Sequence, residues 1–366
     1  MPLLEVGQHI RDTYEVERLI GEGAHAEVYR VKHRFLGRQA LKVLKQPGVT
    51  EADIKALLKE ASLLTQIGHP NIIRVFDANT VLADGHERGY FTMEYVAAGT
   101  LEDYMSKSSS WLIDAEKCVA LVIQLAEGLA VAHGQKPAII HRDLKPQNIL
   151  VSDGPDGLTL KISDFGLAQE VNPLTLMTTA AGTLSFKAPE AVFEGGVDSK
   201  ASDIWSVGVI LYLLLTSRLP YPAPTEWGWS NKAFQNPHRP PSLFNVDAND
   251  ALDSIVKKCL RIEPHLRYAK ITNLLADLKR WKPTRRREGA LQLQDLASKE
   301  FNGEQKETAS PAPEGIKELL SAAQELANEQ RLDEAADKLE EAIRLQPNLR
   351  ATHAKRIALW RKGLSS

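Results

Sequence analysis

The sequence of 366 residues predicts an α+β fold in two lobes, a small one rich in β-strands and a larger one that is mainly helical. Two observations support this prediction. From residue 14 to 43, apolar and polar residues alternate around a glycine-rich break, as in strands joined by a loop. Beyond the small residues at 97–100, apolar residues recur at helical spacing over 101–106, 118–133, 201–215 and 250–260.

Composition narrows the classes of function. With 43% hydrophobic and 25% charged residues, the chain can bury a sizeable core. A formal net charge of −2 gives no general attraction to nucleic acid or to an anionic membrane. The longest apolar run, 204–215, is too short to span a bilayer, and residues 1–10 lack a signal-peptide pattern. Because Cys118 and Cys259 lie in apolar-periodic segments, we expect buried free thiols in a reducing cytoplasm. From the net charge and the short apolar runs we expect no nucleic-acid partner and no membrane span.

Four regions are expected along the chain. In the first lobe, residues 51–66 have helical spacing and residues 75–96 return to a strand-like composition. After Trp281 the sequence becomes polar and offers little that can pack. The predicted regions are an N-terminal extension (1–13), a two-lobed unit (14–283, with lobes 14–96 and 97–283), a linker (284–314) and a helical segment (315–363).

A glycine-rich segment, residues 21–28, separates the first two predicted strands. Small residues there let backbone amides approach phosphate oxygens, although a plain hairpin turn fits the segment equally well. Lys42 interrupts the apolar strand that follows, and an inward-facing lysine needs an anionic partner or a phosphate. Glu60, on the next predicted helix, can be that partner. A purely structural ion pair is the alternative.

Residues 141–148 concentrate polar side chains between two apolar stretches. Asp143 can accept a proton from an incoming hydroxyl, Lys145 can neutralise charge on a phosphoryl group, and Asn148 offers an oxygen to a hard cation. Asp164, followed by Phe165 and Gly166, adds a carboxylate, and such a pair of oxygen ligands suits magnesium. Each residue alone could instead cap a turn or a helix. Their joint placement favours catalysis.

In their order these segments resemble the eukaryotic-like (Hanks-type) serine/threonine protein kinases, especially the bacterial branch. The resemblance covers residues 14–283 and includes the sequence Ala188-Pro189-Glu190. It implies the two-lobed protein kinase fold, with ATP and Mg²⁺ as cofactors and proteins with serine or threonine acceptors as substrates. The implied catalytic residues are Asp143, Lys145, Lys42 and Glu60, and the implied metal ligands are Asn148 and Asp164.

The resemblance also implies a nucleotide site and several buried contacts. It makes Asp203 the anchor of the catalytic loop, Arg267 the partner of Glu190, and His141 a packed neighbour of Phe165. Ala26, at a small position of the loop, and Thr100, where an acidic residue often holds the ribose, depart from the family pattern. The implied ATP contacts are Gly21, Glu22, Gly23, Ala26, Val28, Ala40, Lys42, Met93, Glu94, Val96 and Leu150.

Acceptor choice and activation follow from the same resemblance. Lys145 and Thr183 imply serine or threonine acceptors. An arginine before the catalytic aspartate, here Arg142, implies activation by autophosphorylation at one of the loop threonines Thr175, Thr178 and Thr179. A pseudokinase scaffold would have lost Lys42, Asp143 or Asp164, and all three are present. A small-molecule kinase of the aminoglycoside or choline type is the other alternative. Such kinases typically lack an Ala-Pro-Glu segment, which this chain has at 188–190.

The C-terminal segment resembles a tetratricopeptide repeat. Residues 332–348 match its second helix, with Ala335, Ala342 and Pro347 at the small and terminating positions. Leu319 and Ala323 stand where a first helix typically has tryptophan and glycine. Because one repeat cannot bury its own apolar stripe, we expect a cover from the trailing helix 351–361, the kinase lobe, a second copy of the chain or a protein partner.

Overall fold

The computed structural model describes residues 2–23, 26–45, 65–107, 114–154, 157–165, 184–193, 198–222, 234, 237–283, 319, 322–323, 326 and 331–345. The chain divides into two compact units, Met1–Arg286 and Arg287–Ser366. The predicted linker at 284–314 and most of the predicted helix at 51–66 lie outside the described residues.

The first unit begins with a six-stranded antiparallel sheet in which the first four strands are neighbours in chain order and the sixth strand lies between the fourth and the fifth. One face of the sheet buries an apolar cluster that includes Val16, Tyr29, Val31, Leu41 and Val43. The strands predicted within 14–43 and 75–96 are confirmed. They are β1 His9–Ile10, β2 Tyr14–Glu22, β3 Ala26–His33, β4 Gly37–Leu44, β5 Val75–Ala83 and β6 His86–Glu94.

Residues 2–13, expected as an extension, pack on this sheet. Leu4 and Ile10 are buried in the same apolar cluster. Ile10 pairs with Tyr14 across β1 and β2, and the backbone N–H of Leu4 donates to the hydroxyl of Tyr29 at 3.0 Å. The first lobe therefore includes residues that precede the family resemblance.

Helices and one β-hairpin form the second lobe. Asp114 caps the helix at 115–134 by accepting the N–H of Glu116, and Ser199 with Ser202 forms a capping box at the start of the helix at 200–216. The four predicted helical segments are confirmed, whereas the helices at 189–193 and 271–280 were not predicted. The elements are α1 Leu101–Lys107, α2 Ala115–Gly134, β7 Ile149–Gly154, β8 Gly157–Ile162, α3 Pro189–Phe193, α4 Lys200–Thr216, α5 Asp250–Cys259 and α6 Ile271–Arg280, with 3₁₀ turns at Pro146–Asn148, Pro241–Leu243 and Pro264–Leu266.

Helix α4 runs through the core of the second lobe and is buried on nearly all sides. A Cβ atom on Gly208 would lie 2.5 Å from that of Cys259, so α5 approaches the backbone of α4 closely. Cys118 and Cys259 are buried and form no disulfide, and burial raises the pKa of each thiol to about 12. Both act as small core side chains, as expected. Among the described residues, no helix is long and apolar enough to cross a membrane.

In the second unit, one helix is described over its length, α7 Leu332–Leu345. Ala335, Ala336 and Leu339 on this helix pack with Ala323 and Leu326 in a small apolar cluster. The helix coincides with the predicted second helix of the repeat. The predicted trailing helix at 351–361 lies outside the described residues.

Candidate active site

A buried carboxylate fixes the start of the loop at 141–148, which joins α2 to β7. Oδ2 of Asp203 accepts the backbone N–H of His141 at 2.8 Å, and Oδ1 accepts that of Arg142 at 3.0 Å. Oδ2 also lies 2.8 Å from Nε2 of His133. Asp203 stands in the first turn of α4, where the helix dipole favours a negative charge. These contacts confirm Asp203 as the anchor of the loop.

His141 is a packed core residue, as expected. Its ring is fully buried and lies 4.8 Å from the ring of Phe165. Burial lowers the pKa of His141, which favours the neutral imidazole. The backbone N–H of Asp143 donates to Nδ1 at 3.2 Å, so Nε2 carries the proton and donates to the carbonyl of Ser163 at 2.8 Å. Both ring nitrogens thus serve to hold neighbouring backbone.

Asp143, Lys145 and Asn148 meet at the outer end of this loop. Nζ of Lys145 lies 2.9 Å from Oδ2 of Asp143. The amide nitrogen of Asn148 donates to the backbone carbonyl of Asp143 at 2.8 Å and to its Oδ2 at 3.1 Å. Because the amide nitrogen faces Asp143, the amide oxygen of Asn148 is the atom left to ligate a cation. The side chain of Asp143 is about one quarter exposed, so an acceptor can reach it.

Asp164 and Lys42 join the two lobes. Nζ of Lys42, on β4, lies 2.6 Å from Oδ1 of Asp164, which follows β8. Burial alone would raise the pKa of Asp164, but the charge and hydrogen bond of Lys42 are the largest of the effects that together hold that pKa below its usual value. Asp164 is therefore ionised at neutral pH. Glu60, the partner predicted for Lys42, lies outside the described residues.

Five of the predicted ATP contacts belong to one apolar cluster that runs through both lobes. Ala40 and Met93 are buried in it and pair across β4 and β6. Val28, Val96 and Leu150 pack against the cluster as partly buried residues. Apolar residues from β3, β4, β6, the segment after β6, and β7 thus belong to one apolar cluster.

The glycine-rich loop closes between β2 and β3. The N–H of Gly23 donates to the carbonyl of Ala26 at 2.9 Å, and Gly21 pairs with Val28 in the ladder. The side chain of Glu22 forms an exposed ion pair with Lys45 at 2.5 Å. Residues 24 and 25, at the tip of the loop, lie outside the described residues.

Thr100 caps a helix. Its hydroxyl donates to Oδ2 of Asp103 at 2.8 Å and accepts the backbone N–H of Asp103 at 3.1 Å, so the two residues close the first turn of α1. The spacing of Thr100 and Asp103 is a capping signal that could have been recognised from the sequence.

Glu94 pairs with a lysine from the other lobe. Nζ of Lys161, on β8, lies 3.1 Å from Oε2 of Glu94, at the end of β6. No sequence pattern indicated this contact, because the two residues are far apart in the chain and meet only through the fold.

The segment that ends in Ala188-Pro189-Glu190 is anchored as expected. Both carboxylate oxygens of Glu190 accept from the guanidinium of Arg267, at 2.6 and 2.7 Å. Arg267 also donates to the backbone carbonyls of Ala201 and Ile262, at 2.9 and 3.0 Å. A planar guanidinium can make these contacts together, whereas an ammonium cannot. Gly166, Thr175, Thr178, Thr179 and Thr183 lie outside the described residues.

Comparisons with known proteins agree with this geometry. The family described as protein kinase domain matches residues 14–278. A probable serine/threonine-protein kinase of Clostridium acetobutylicum is 33% identical over 277 residues, which are 75% of this chain and 40% of that protein. The serine/threonine-protein kinase PrkC of Bacillus subtilis is 28% identical over 278 residues, 75% of this chain and 41% of PrkC.

A third relative, the serine/threonine-protein kinase pkn3 of Myxococcus xanthus, is 32% identical over 295 residues, 77% of this chain and 52% of pkn3. The chain thus spans between two fifths and about half of the length of these relatives. The family match covers well over half of the chain and includes Lys42, Asp143 and Asp164. The chain belongs to the protein kinase domain family.

Proposed function

We propose that this chain is a serine/threonine protein kinase that transfers the γ-phosphoryl group of ATP to hydroxyls of protein substrates. The observation that carries the proposal is the convergence of Asp143, Lys145 and Asn148 on one loop, with Asp164 and Lys42 paired across the lobes. The names of the relatives support the same activity.

Asp143 is proposed to orient the acceptor hydroxyl and to take its proton. Its Oδ2 already accepts from Lys145 and Asn148, so the carboxylate is held in one orientation before a substrate arrives. Lys145, within 2.9 Å of this carboxylate, brings a positive charge to the place where the phosphoryl group would pass. Positioning and electrostatics thus account for most of the catalysis.

Asp164 and Asn148 are proposed to hold magnesium. A carboxylate with a lowered pKa and an amide oxygen form an oxygen donor set that fits a hard cation. When bound, magnesium would offset negative charge on the phosphate oxygens. Lys42 is proposed to contact the α- and β-phosphates, with Glu60 orienting it. The apolar side chains proposed to enclose the adenine are those of Val28, Ala40, Met93, Val96 and Leu150.

The role of Asp143 predicts a specific kinetic defect. Asp143→Asn preserves the shape of the side chain but removes the proton acceptor, so turnover should fall by roughly 10² to 10⁴ while ATP binding stays nearly intact. Transfer of labelled phosphate from ATP to a generic basic protein measures turnover. Asp250→Asn, which changes an exposed carboxylate at the start of α5, is the matched control and should leave turnover unchanged.

More than about half of the wild-type activity in Asp143→Asn would contradict the assignment. The same assay with aminoglycosides as acceptors distinguishes a small-molecule kinase, which would phosphorylate them in preference to protein. A chain that binds ATP without any transfer would be a pseudokinase scaffold.

Activation is proposed to follow autophosphorylation of Thr175, Thr178 or Thr179. The proposal is supported by Arg142, whose backbone N–H is fixed by Asp203 next to the catalytic aspartate. A phosphate would add negative charge and acceptor oxygens that an arginine can bind. We expect mass spectrometry to find phosphate on one of these threonines in the active enzyme. A fully active enzyme with an unmodified loop would exclude the idea.

The C-terminal segment is proposed to be a tetratricopeptide-like module for self-association or for binding a protein partner. The apolar cluster around Ala335 and Leu339 supports a packed helical unit separate from the kinase unit.

Truncation after Pro311 should preserve transfer to a generic basic protein and reduce self-association or partner binding. Sedimentation velocity of the full and the truncated chain measures self-association, and the labelled-phosphate assay measures transfer. A folded but inactive truncated chain would make the segment a regulatory part of the kinase, and unchanged association and activity would exclude the module.

A further inference from the structure

A buried ion pair with no part in the proposed mechanism lies beside the catalytic loop. Lys187, directly before Ala188, is only 6% exposed. Its Nζ donates to the backbone carbonyl of Arg142 at 2.7 Å and lies 3.5 Å from Oδ2 of Asp198. A buried ammonium is stable only with a counter-charge and hydrogen-bond acceptors. Asp198 provides the counter-charge, and the carbonyl of Arg142 is the nearer acceptor.

The carbonyl that Lys187 contacts belongs to a residue in an unusual conformation. Arg142 has a φ of 70°, in the left-handed region that non-glycine residues rarely adopt. Such a conformation persists only where the surrounding contacts impose it. Here the N–H of Arg142 donates to Asp203 at 3.0 Å, and its carbonyl accepts from Lys187. Two buried charges of opposite sign therefore hold the two backbone groups of Arg142.

The same contact fixes the peptide bond that leads to Asp143. The carbonyl side of this peptide is held by Lys187, and its N–H, which belongs to Asp143, donates to the carbonyl of His141 at 2.9 Å and to Nδ1 of the same residue at 3.2 Å. With both polar groups held, the peptide plane cannot rotate without breaking at least one of these bonds. The direction in which the Asp143 side chain leaves the backbone depends on this plane.

Lys187 is itself held on a firm support. The carbonyl of the preceding Phe186 accepts from the hydroxyl of Ser206, on α4, at 2.8 Å. Asp198 directly precedes Ser199, the capping residue of the same helix. Lys187 and its counter-charge are thus both tied to α4, the helix that also carries Asp203.

We propose that Lys187, with Asp198 as its counter-charge, is a positioning residue that fixes the Arg142–Asp143 peptide for phosphoryl transfer. The inference rests on the proposed role of Asp143. It assigns Lys187 no contact with ATP or with the phosphoryl group. An apolar side chain of similar length would fill the same space but leave the Arg142 carbonyl without this donor.

The test compares the full chain with two variants. Lys187→Met leaves Asp198 buried without its lysine, so its unfolding midpoint should fall. Lys187→Met/Asp198→Asn removes both charges, and because exchanging a buried ion pair for uncharged groups is often neutral, the midpoint should recover. Turnover should nevertheless stay roughly 10- to 100-fold below wild type in both variants, since the carbonyl of Arg142 has lost the hydrogen bond from Lys187 in both. The KM for ATP should change less than about twofold, because no ATP contact is removed.

A purely structural pair would behave differently, because turnover would recover in the double variant together with the unfolding midpoint. That result would overturn the proposal, and so would a double variant that fails to fold. Lys279→Met is the matched control, since it removes another lysine–carboxylate pair, 2.7 Å from Glu127, and should keep wild-type turnover. Asp143→Asn, assayed in parallel, distinguishes failure of the Lys187 proposal from failure of the proposed function. Equal turnover of Asp143→Asn and wild type would refute the proposed function itself.

Discussion

The carboxylate of Asp203 accepts N–H groups from the end of α2 and from the loop at 141–148. Backbone N–H groups of His141 and Arg142 come from the loop, and the ring of His133 comes from the end of α2. A buried carboxylate is costly unless several donors and a favourable field surround it. The first turn of α4 supplies that field, and the capping box at Ser199 fixes where the turn begins. The geometry of the loop at 141–148 therefore depends on the placement of one helix terminus.

From this anchor the contacts extend to the proposed reacting groups. Asp203 and Lys187 hold Arg142, His141 holds the N–H of Asp143 and the carbonyl of Ser163, and Asp164 follows Ser163 directly. Asp164 then reaches Lys42 in the other lobe. Arg142 and Asp164 are two of the six non-glycine residues with positive φ in the described part of the chain, so part of the backbone strain lies at the proposed site. The surrounding bonds offset that strain.

Much of this arrangement was predictable from the sequence because local patterns determine it. Periodicity located the strands of the first lobe and four helical segments, and the family resemblance identified Asp203 and the pairing of Arg267 with Glu190. Contacts between residues far apart in the chain were predictable only where the family resemblance implied them. The pair of Lys161 with Glu94 joins the lobes, and nothing in the neighbourhood of Lys187 in the sequence indicates that its ammonium is buried. Helix α6 was missed, and Leu4 gave no sign of packing on the sheet.

If Asp203 acts only by positioning the loop at 141–148, replacing it should lower turnover without weakening the binding of ATP. Turnover and the ATP dissociation constant of Asp203→Asn, measured on protein shown to be folded, test this claim most directly. Asparagine keeps the shape but turns an amide N–H₂ toward backbone N–H donors that need an acceptor. Turnover should fall by about 10²-fold, as for a small misplacement of a reacting group, while the ATP dissociation constant stays within about twofold of wild type. Wild-type turnover in a folded Asp203→Asn chain would contradict the claim.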